Sequence, residues 1–597
     1  MSELPSLNRA CRPAVTTKSL RRLMAVAAGR EPADVLIKNV VLVNVHTARL
    51  EEGVSLALCG DRIAARGPDL DGLIGPKTAI MDGRGQVCAP GMIDAHTHLD
   101  SLVTVRNFAR LALIGGNTCL ATEMAMMANA AGAEGVFAFM AEASNLPLRV
   151  FFLAPPLIPP FPDLETSAGL DWKTFKKLLQ RPDVLGVGET YWRPALELKP
   201  HVLDRLAAGK AAGKTLEGHA AGARGVNLTA YRAGGITSCH EATTADEALE
   251  RLNLGYAVQI REGYIRRELE AMGPLAARSG LDGRRLILVT DTASPDMLLQ
   301  TGIMNELIRR AVEAGFNPLA AVRMLTLNPA DYFGLPDLGR LDPGALADLV
   351  LLDDLENLNI NLVMVGGRVV VSRGLLTVDI PDHPYPAGLT RGFKLRRIEP
   401  DDLRLTGPSG PIRVRVVAVR NETVTQEEIV ETRAVRGRVQ PDPGLDLVKI
   451  AVFDRHSPEP RGAVGLARGL GLKSGAVASS LLWDTNNLLI AGVTDREMAL
   501  AANRLIELQG GLVVVRGRKV LAEMPLPIAG IMSDRPLADV LAQGDAVEKA
   551  VHDLGSPIAR PLLIFQTLCF TGLPFIRLTD KGLVDVRKGT LVDVVLK

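Results

Sequence analysis

The sequence predicts an α/β protein: a (β/α)8 TIM barrel with a composite β-sandwich domain and an additional C-terminal α/β domain. Three observations predict it. Eight short apolar runs, each followed by a helical or loop stretch, lie between Gly91 and Asp291; β-rich runs flank that region on both sides; and strand-like and helical runs interleave again in the last third. Strands alternating with helices imply a parallel sheet, and eight such units in about 200 residues suit a closed barrel.

The elements follow in chain order. Arg21 and Arg22 precede a short apolar stretch that runs into Arg30-Glu-Pro32, which reads as an N-terminal helix rather than a signal peptide. From Asp34 to Asp82 the runs Val35–Asn44, Val54–Leu58 and Arg62–Arg66 carry turn signals between them, the mark of a small antiparallel sheet. Ala347–Asp353 and Leu362–Val371 alternate in the same way, so the two β segments are expected to form one sheet around a large insertion. The eight barrel strands are read at Met92–His96, Asn117–Leu120, Arg149–Leu153, Val184–Glu189, Lys214–His219, Ile236–His240, Ala257–Ile260 and Leu286–Asp291. Met304–Gly315 is an amphipathic helix, and Pro-rich 154–162 a rigid loop after the third strand, at the site face. In the last third, Ile412–Val419, Leu447–Phe453 and Leu488–Val493 read as strands and Asp495–Glu507 as a helix. The expected division is 1–90 for the N-terminal part of the sandwich, 91–335 for the barrel, 336–389 for the return strands and 390–597 for the C-terminal domain.

Composition limits the function. With 597 residues the chain exceeds one hydrophobic core. A net charge of +1 from 68 basic and 67 acidic residues gives no footprint for nucleic acid or an anionic membrane. No apolar run approaches the roughly 18 residues that cross a bilayer. The six cysteines (Cys11, Cys59, Cys88, Cys119, Cys239, Cys569) form no Cys-x-x-Cys pair, which points to buried, reduced thiols and a cytoplasmic protein.

The ionisable residues locate the site. Active sites of this fold sit at the C-terminal ends of the strands. The first strand ends in His96-Thr-His98, the fourth in Glu189, the fifth in His219, the sixth in His240 and the eighth in Asp291. Residues two apart on a strand face one side, so His96 and His98 can address one metal together. Of nine histidines, four lie at these ends; His46, His201, His383, His456 and His552 read as ordinary surface or core residues. Imidazole and carboxylate suit Zn²⁺, Fe²⁺ or Mn²⁺. His240-Glu-Ala-Thr-Thr244 lacks the second histidine of a zincin helix, and no His-x-Glu with Pro-Cys-x-x-Cys occurs, which excludes the cytidine-type deaminase fold.

Ala89-Pro-Gly-Met-Ile-Asp-Ala-His-Thr-His98 resembles the first-strand signature of the amidohydrolase superfamily, and Gly344–Leu352 its second sheet segment. Within that superfamily the chain is most similar to bacterial adenine deaminases over nearly its whole length. The resemblance rests on Val187-Gly-Glu189, Gly218-His219, Gly235–Glu241, Arg261-Glu-Gly263, Thr290-Asp291, Gly475–Ala478 and Leu526–Met532. Three stretches depart from the family pattern. Glu123-Met-Ala-Met-Met127 stands for Asp-Pro-His-Glu-Ile, Leu99-Asp-Ser-Leu102 for Ile-Glu-Ser-Ser, and Leu482-Trp-Asp-Thr-Asn-Asn487 for Ser-His-Asp-Ser-His-Asn.

The resemblance implies hydrolytic deamination of adenine to hypoxanthine and ammonia by a metal-bound hydroxide. Two divalent ions are expected, Mn²⁺ ahead of Fe²⁺ or Zn²⁺: His96 and His98 on one, His219 and His240 on the other, Glu189 bridging, and Asp291 on one ion or the hydroxide; one ion with three protein ligands is the competing reading. Asp291 fits the general base, and Glu241 or Glu262 the proton donor to the ring nitrogen. A regular strand would turn Glu241 away from its neighbour His240, and each glutamate has a structural ion pair as its plain alternative. Glu123, Arg261 and Trp483 are the expected substrate-binding residues, with Trp483 offering a flat face to a purine. A homodimer is expected, with a small-molecule purine as the partner. Two other readings stay open: an amidohydrolase of another heterocycle or cyclic amide, and a non-catalytic ligand-binding descendant. Cyclic-amide hydrolases often carry a carboxylated lysine on the fourth strand, where this chain has Glu189.

Overall fold

Val35–Asn44 is flanked by apolar, β-branched neighbours and pairs antiparallel with Arg49–Cys59 and parallel with Ala79–Asp82 and Val87–Pro90. The computed structural model describes residues 15–293 and 297–596; Cys11 lies outside the described residues. Leu349–Leu352 returns 250-odd residues later to pair antiparallel with Val87–Pro90, Leu349 opposite Pro90 and Leu352 opposite Val87. The two ends of the insertion thus lie side by side in one nine-stranded sheet. The N-terminal helix spans Thr17–Ala27, starts at a Thr16–Ser19 capping box and buries Val26 against Leu36, Ala57 and Leu73.

The insertion begins at Met92, immediately after that junction. Its strands are β1 (Met92–Thr97), β2 (Asn117–Thr122), β3 (Arg149–Ala154), β4 (Val184–Tyr191), β5 (Thr215–His219), β6 (Ser238–Cys239), β7 (Ala257–Arg261) and β8 (Leu286–Val289). The first five form a parallel half-barrel sheet in the order β5-β4-β3-β2-β1, and β6-β7-β8 form a second parallel sheet. Hydrogen bonds run between the sheets at both margins: Thr237 N–H donates to the Leu216 carbonyl at 2.9 Å, and Asp291 N–H to the His96 carbonyl at 2.9 Å. Ile93, Ala95, Cys119, Ala121, Phe151, Leu153, Ile287 and Val289 make one buried cluster with Phe333, Leu335 and Leu338. Buried Asp94 ties β1 to the end of β8, accepting the Thr290 hydroxyl at 2.6 Å and its N–H at 3.2 Å. Arg149 on β3 forks to Asp348, just before Leu349, at 2.5 and 2.7 Å, which fixes the half-barrel sheet to the nine-stranded sheet. The expected helix at Met304–Gly315 is found as Ile303–Glu313.

Residues 405–596 build an eleven-stranded mixed sheet. Gly410–Val419 and Thr425–Val435 form a ten-pair antiparallel ladder, and Leu447–Phe453 sits between Gly462–Arg468 and Leu488–Gly492. Helix Asp495–Leu508 is capped by the Thr494 side chain and lays Met498, Ala501, Ala502 and Leu505 on the sheet. This region docks at the carboxyl-end side of the parallel strands. Met532–Ser533 pairs in parallel with Leu102–Val103, which follows His98, and Asn487 Nδ2 donates to the Thr166 carbonyl at 3.0 Å. Cys59, Cys88, Cys119, Cys239 and Cys569 are all buried, and among the described residues no helix is long and apolar enough to cross a membrane.

Candidate metal centre

Each ligand candidate stands at the carboxyl end of its strand. His96 is the fifth residue of β1 and His98 follows its end; Glu189 lies near the end of β4; His219 closes β5; His240 follows β6; Asp291 comes two residues after β8. Strand parity brings His96 and His98 to the same carboxylates. His96 Nε2 is 3.2 Å from Glu189 Oε1 and 3.4 Å from Asp291 Oδ1, and His98 Nε2 is 3.7 and 3.4 Å from the same two oxygens. Asp291 reaches them from a left-handed backbone conformation (φ 59°), which Asp tolerates better than most residues.

Glu189 faces the other histidines as well. His240 Nε2 is 3.0 Å from its Oε1 and His219 Nδ1 is 3.6 Å from its Oε2. Ligand atoms of His96, His98, Glu189 and Asp291 lie within 4.8 Å of one another, as do those of Glu189, His219 and His240, so the two groups share Glu189. The His96 and His240 rings stack with centroids 4.4 Å apart.

The donor set fits cations. Both ring nitrogens of His96 and His219, and Nδ1 of His98 and His240, are buried without a hydrogen-bond partner, a costly state for a polar group unless an ion or ligand takes the lone pair. The electrostatics agree. Burial opposes charging His96, yet Asp291 and Glu189 outweigh it and lift the imidazole to about 10. Burial likewise works against ionised Glu189, but the His240 charge and contacts with His219 and His96 hold it well below the usual carboxylate range. A cluster that draws protons this strongly offers the same ground to divalent ions.

Around this centre the other expected site residues take different places. Glu241 does not point away: β6 stops at Cys239, so strand alternation no longer governs it, and its Oε1 lies 3.3 Å from His240 Nε2 and 3.8 Å from His219 Nδ1. Arg261, buried at the end of β7, grips Glu241 with Nη1 and with Nη2 at 3.3 Å, and its Nη1 is 3.5 Å from Asp291. Against burial, the Arg261 charge holds the Glu241 carboxyl well below the usual range. Glu262 is not brought into the cluster: its carboxylate accepts Arg310 Nη1 at 2.7 Å and Leu269 N–H at 3.3 Å. Glu123 lies buried beneath Glu189, whose N–H it accepts at 3.0 Å, and burial followed by the Glu189 charge pushes it upward. A Cβ on Gly188 would lie 2.2 Å from Glu123 Oε2, so any larger residue there would displace the Glu123 carboxyl.

Three residues that the sequence did not single out as site residues, Asp484 among them within the 482–487 stretch, complete the surroundings. Glu268 forks to the far edge of Arg261 at 2.9 and 3.1 Å. Tyr191 rests its ring against His219, centroids 4.7 Å apart, and its hydroxyl donates to Asp484 Oδ2. Burial pushes Asp484 up to about 7, opposed by that hydroxyl. Tyr191 was legible, since it lies two residues from Glu189 on one strand; Glu268 and Asp484 carry no local signal. Trp483 meets His98 edge to face at 5.1 Å, and it lines both a cavity of about 60 Å³ over the metal ligands and an adjoining groove of about 840 Å³. The Pro-rich loop after β3 sits at the same end: Pro155, Pro156 and Pro160 line a small cleft with Glu123, Glu189 and Asp484.

A mixed α/β fold with histidine and carboxylate ligands at the strand ends defines a metal-dependent hydrolase of the amidohydrolase class, and the Amidohydrolase family matches residues 87–370. The Adenine deaminase C-terminal domain matches residues 422–590. An adenine deaminase of Moorella thermoacetica is 39% identical over 584 residues, covering 96% of this chain and 98% of that protein. One from Clostridium botulinum is 34% identical over 582 residues, covering 96% and 97%. The solved β-aspartyl dipeptidase of Fervidobacterium islandicum AW-1 covers 58% of this chain and 97% of its own, at 16% identity and a TM-score of 0.46. The chain belongs to the adenine deaminase family.

Proposed function

We propose that this protein hydrolyses adenine to hypoxanthine and ammonia at a centre of two divalent ions. The observation that carries the reading is the shared carboxylate: Glu189 belongs to both groups of clustered ligand atoms, in a chain whose curated relatives are named adenine deaminase. His96, His98 and Asp291 would hold one ion and His219 and His240 the other, with Glu189 available to both. Mn²⁺ is the favoured metal, with Fe²⁺ and Zn²⁺ as alternatives. Bound ions supply Lewis-acid chemistry that lowers the pKa of a coordinated water from 15.7 to about 7.

The chain's own groups then divide the proton traffic. Asp291, beside His96 and His98, takes a proton from the attacking water and hands it to the departing amine, a role typically worth about 10²–10⁴-fold. Of the two glutamates open for the ring nitrogen, Glu241 is the one at the cavity; it would relay the second proton of the water to that nitrogen, returning to the carboxylate that Arg261 favours. Arg261 sets the position of Glu241, and Glu262 serves Arg310 instead. Glu123 acts from beneath Glu189, and Trp483 walls the cavity that receives the purine.

Around this site we read the eight strands as one closed (β/α)8 barrel, supported by the hydrogen bonds at both sheet margins. The sandwich is built from 1–90 and 336–389, the barrel from 91–335 and the C-terminal domain from 390–597. A homodimer in the cytoplasm is part of the same reading. Incubation of Mn²⁺-loaded protein with a purine panel tests the activity: ammonia is expected from adenine in preference to other aminopurines. A fully metallated protein that releases none from adenine would overturn it.

A further inference from the structure

We infer that Asp484 and Trp483, supplied by the C-terminal region, form an acceptor–donor pair that recognises the N9–H and N3 edge of a free purine base and excludes purines substituted at N9. The inference rests on the reading of the site as a purine deaminase and adds what selects the purine. Both residues line the cavity over the metal ligands. Asp484 is buried, and among the described residues its carboxyl receives one hydrogen bond, from Tyr191 to Oδ2, which leaves the other oxygen uncommitted. Trp483 is 7% exposed, and its indole Nε1–H is buried with no partner. The other polar groups lining that cavity from the C-terminal region are engaged: Thr567 donates to the Glu422 and Ile564 carbonyls, and Thr423 donates to Asn421 Oδ1 and accepts from Arg266; Phe570 and Leu573 are apolar. An unpartnered buried donor on Trp483 and an unengaged carboxyl oxygen on the neighbouring Asp484, both in the cavity lining, call for a ligand edge with the opposite pattern.

A free purine has that edge. With C6 towards the histidine–carboxylate cluster, the opposite side of the ring presents N3, an acceptor, beside N9–H, a donor. The indole N–H matches N3 and the Asp484 oxygen matches N9–H. A nucleoside or 9-alkylpurine has carbon on N9, so it leaves the carboxyl unpaired, and sites built around a substrate N–H reject analogues lacking it strongly. Tyr191 occupies only the second Asp484 oxygen: its ring is held between His219 and Phe161, and its hydroxyl donates to Oδ2.

The test uses the full-length, metal-loaded protein with adenine and 9-methyladenine as substrates, and hypoxanthine and 9-methylhypoxanthine as ligands in calorimetry. Wild type is expected to prefer the unsubstituted base by about 100-fold or more in kcat/KM and in affinity. Asp484→Ala reduces that ratio to below about 10, mainly through KM for adenine, and Asp484→Asn, whose amide oxygen still accepts, restores part of it. Trp483→Phe weakens both bases by a similar factor, because N3 is present in each. Tyr191→Phe keeps the ratio. The inference is overturned if wild type treats the two bases alike, if Asp484→Ala keeps the ratio, if Asp484→Asn behaves as the alanine variant, or if Tyr191→Phe abolishes the ratio, which would make Asp484 a structural tie. Loss of adenine turnover with base discrimination intact in calorimetry would defeat the deaminase reading and leave the recognition standing.

Discussion

Glu189 carries more of the site than any other single residue, because four histidines converge on its two oxygens. Glu189→Gln keeps the shape and removes the charge that balances a pair of cations. Elemental analysis is expected to show bound metal falling from two ions per chain, and kcat falling by more than the roughly 10–100-fold typical of an outer-shell change. A variant that still saturates with two ions would end the bridging role. A second residue, Glu165, tests the seam between the segment after β3 and the C-terminal region. It is buried, accepts Phe161 N–H at 3.1 Å and the Thr571 hydroxyl at 2.9 Å, and burial followed by the Asp484 charge pushes it up to about 8. A carboxyl raised in the folded state contributes stability that is fully present below its unfolded value near 4.5 and is lost as pH rises through about 8. Glu165→Gln mimics the protonated form, so its melting temperature should match wild type near pH 5 and exceed it by a few degrees at pH 9. Equal melting temperatures at both pH values would show that Glu165 ionises there without cost.

At the scale of elements, the strand ends and segment 482–487 make the site together. The segment is tied down from three directions: Asn486 Nδ2 to the Met126 carbonyl at 3.2 Å, Asn487 Nδ2 to Thr166 at 3.0 Å, and Asp484 to Tyr191. Buried Arg455 supports it from behind, donating to the Asn486 carbonyl at 3.2 Å and stacking on Phe393. Trp483→Ala is therefore expected to stay folded and bind metal, while kcat/KM on adenine drops roughly 10-fold from the lost aromatic contact. Unchanged kcat and KM in a folded, metallated variant would reduce the segment to scaffolding. The eight strands were legible because each is a short apolar run between turn signals, and the period of two put His96 and His98 on common ground. The orientation of Glu241 was not, because β6 ends one residue before His240 and only the packed structure shows where alternation stops.

For the molecule as a whole, the ligands join the two parallel sheets, with His96, Glu189 and His219 on one and His240 and Asp291 following strands of the other. Metal binding should consequently stabilise the global fold, by about 2.7 kcal/mol at a hundredfold excess over Kd. Exhaustive chelation is expected to lower the melting temperature and Mn²⁺ to restore it; an unaltered transition would show that the cluster folds equally well without ions. The nine-stranded sheet matters at this scale too, since its junction at Val87–Pro90 and Leu349–Leu352 delivers the chain straight into β1.

The sequence by itself determined the strand-and-helix order, the β segments on either side of the insertion, and the set His96, His98, Glu189, His219, His240 and Asp291. Those follow from local hydrophobic period and from the rule that places strand-end residues at the site face, neither of which needs distant contacts. Tertiary structure decided the rest. Glu262 could be told from Glu241 only when Arg310, 48 residues on, claimed it. Glu268 became the second clasp on Arg261 only when its loop folded back. Asp484 reached Tyr191 across 293 residues because Met532–Ser533 and Asn487 dock the C-terminal region on the segments that follow β1 and β3. Such contacts depend on how separate elements pack, and no periodicity within one of them records it.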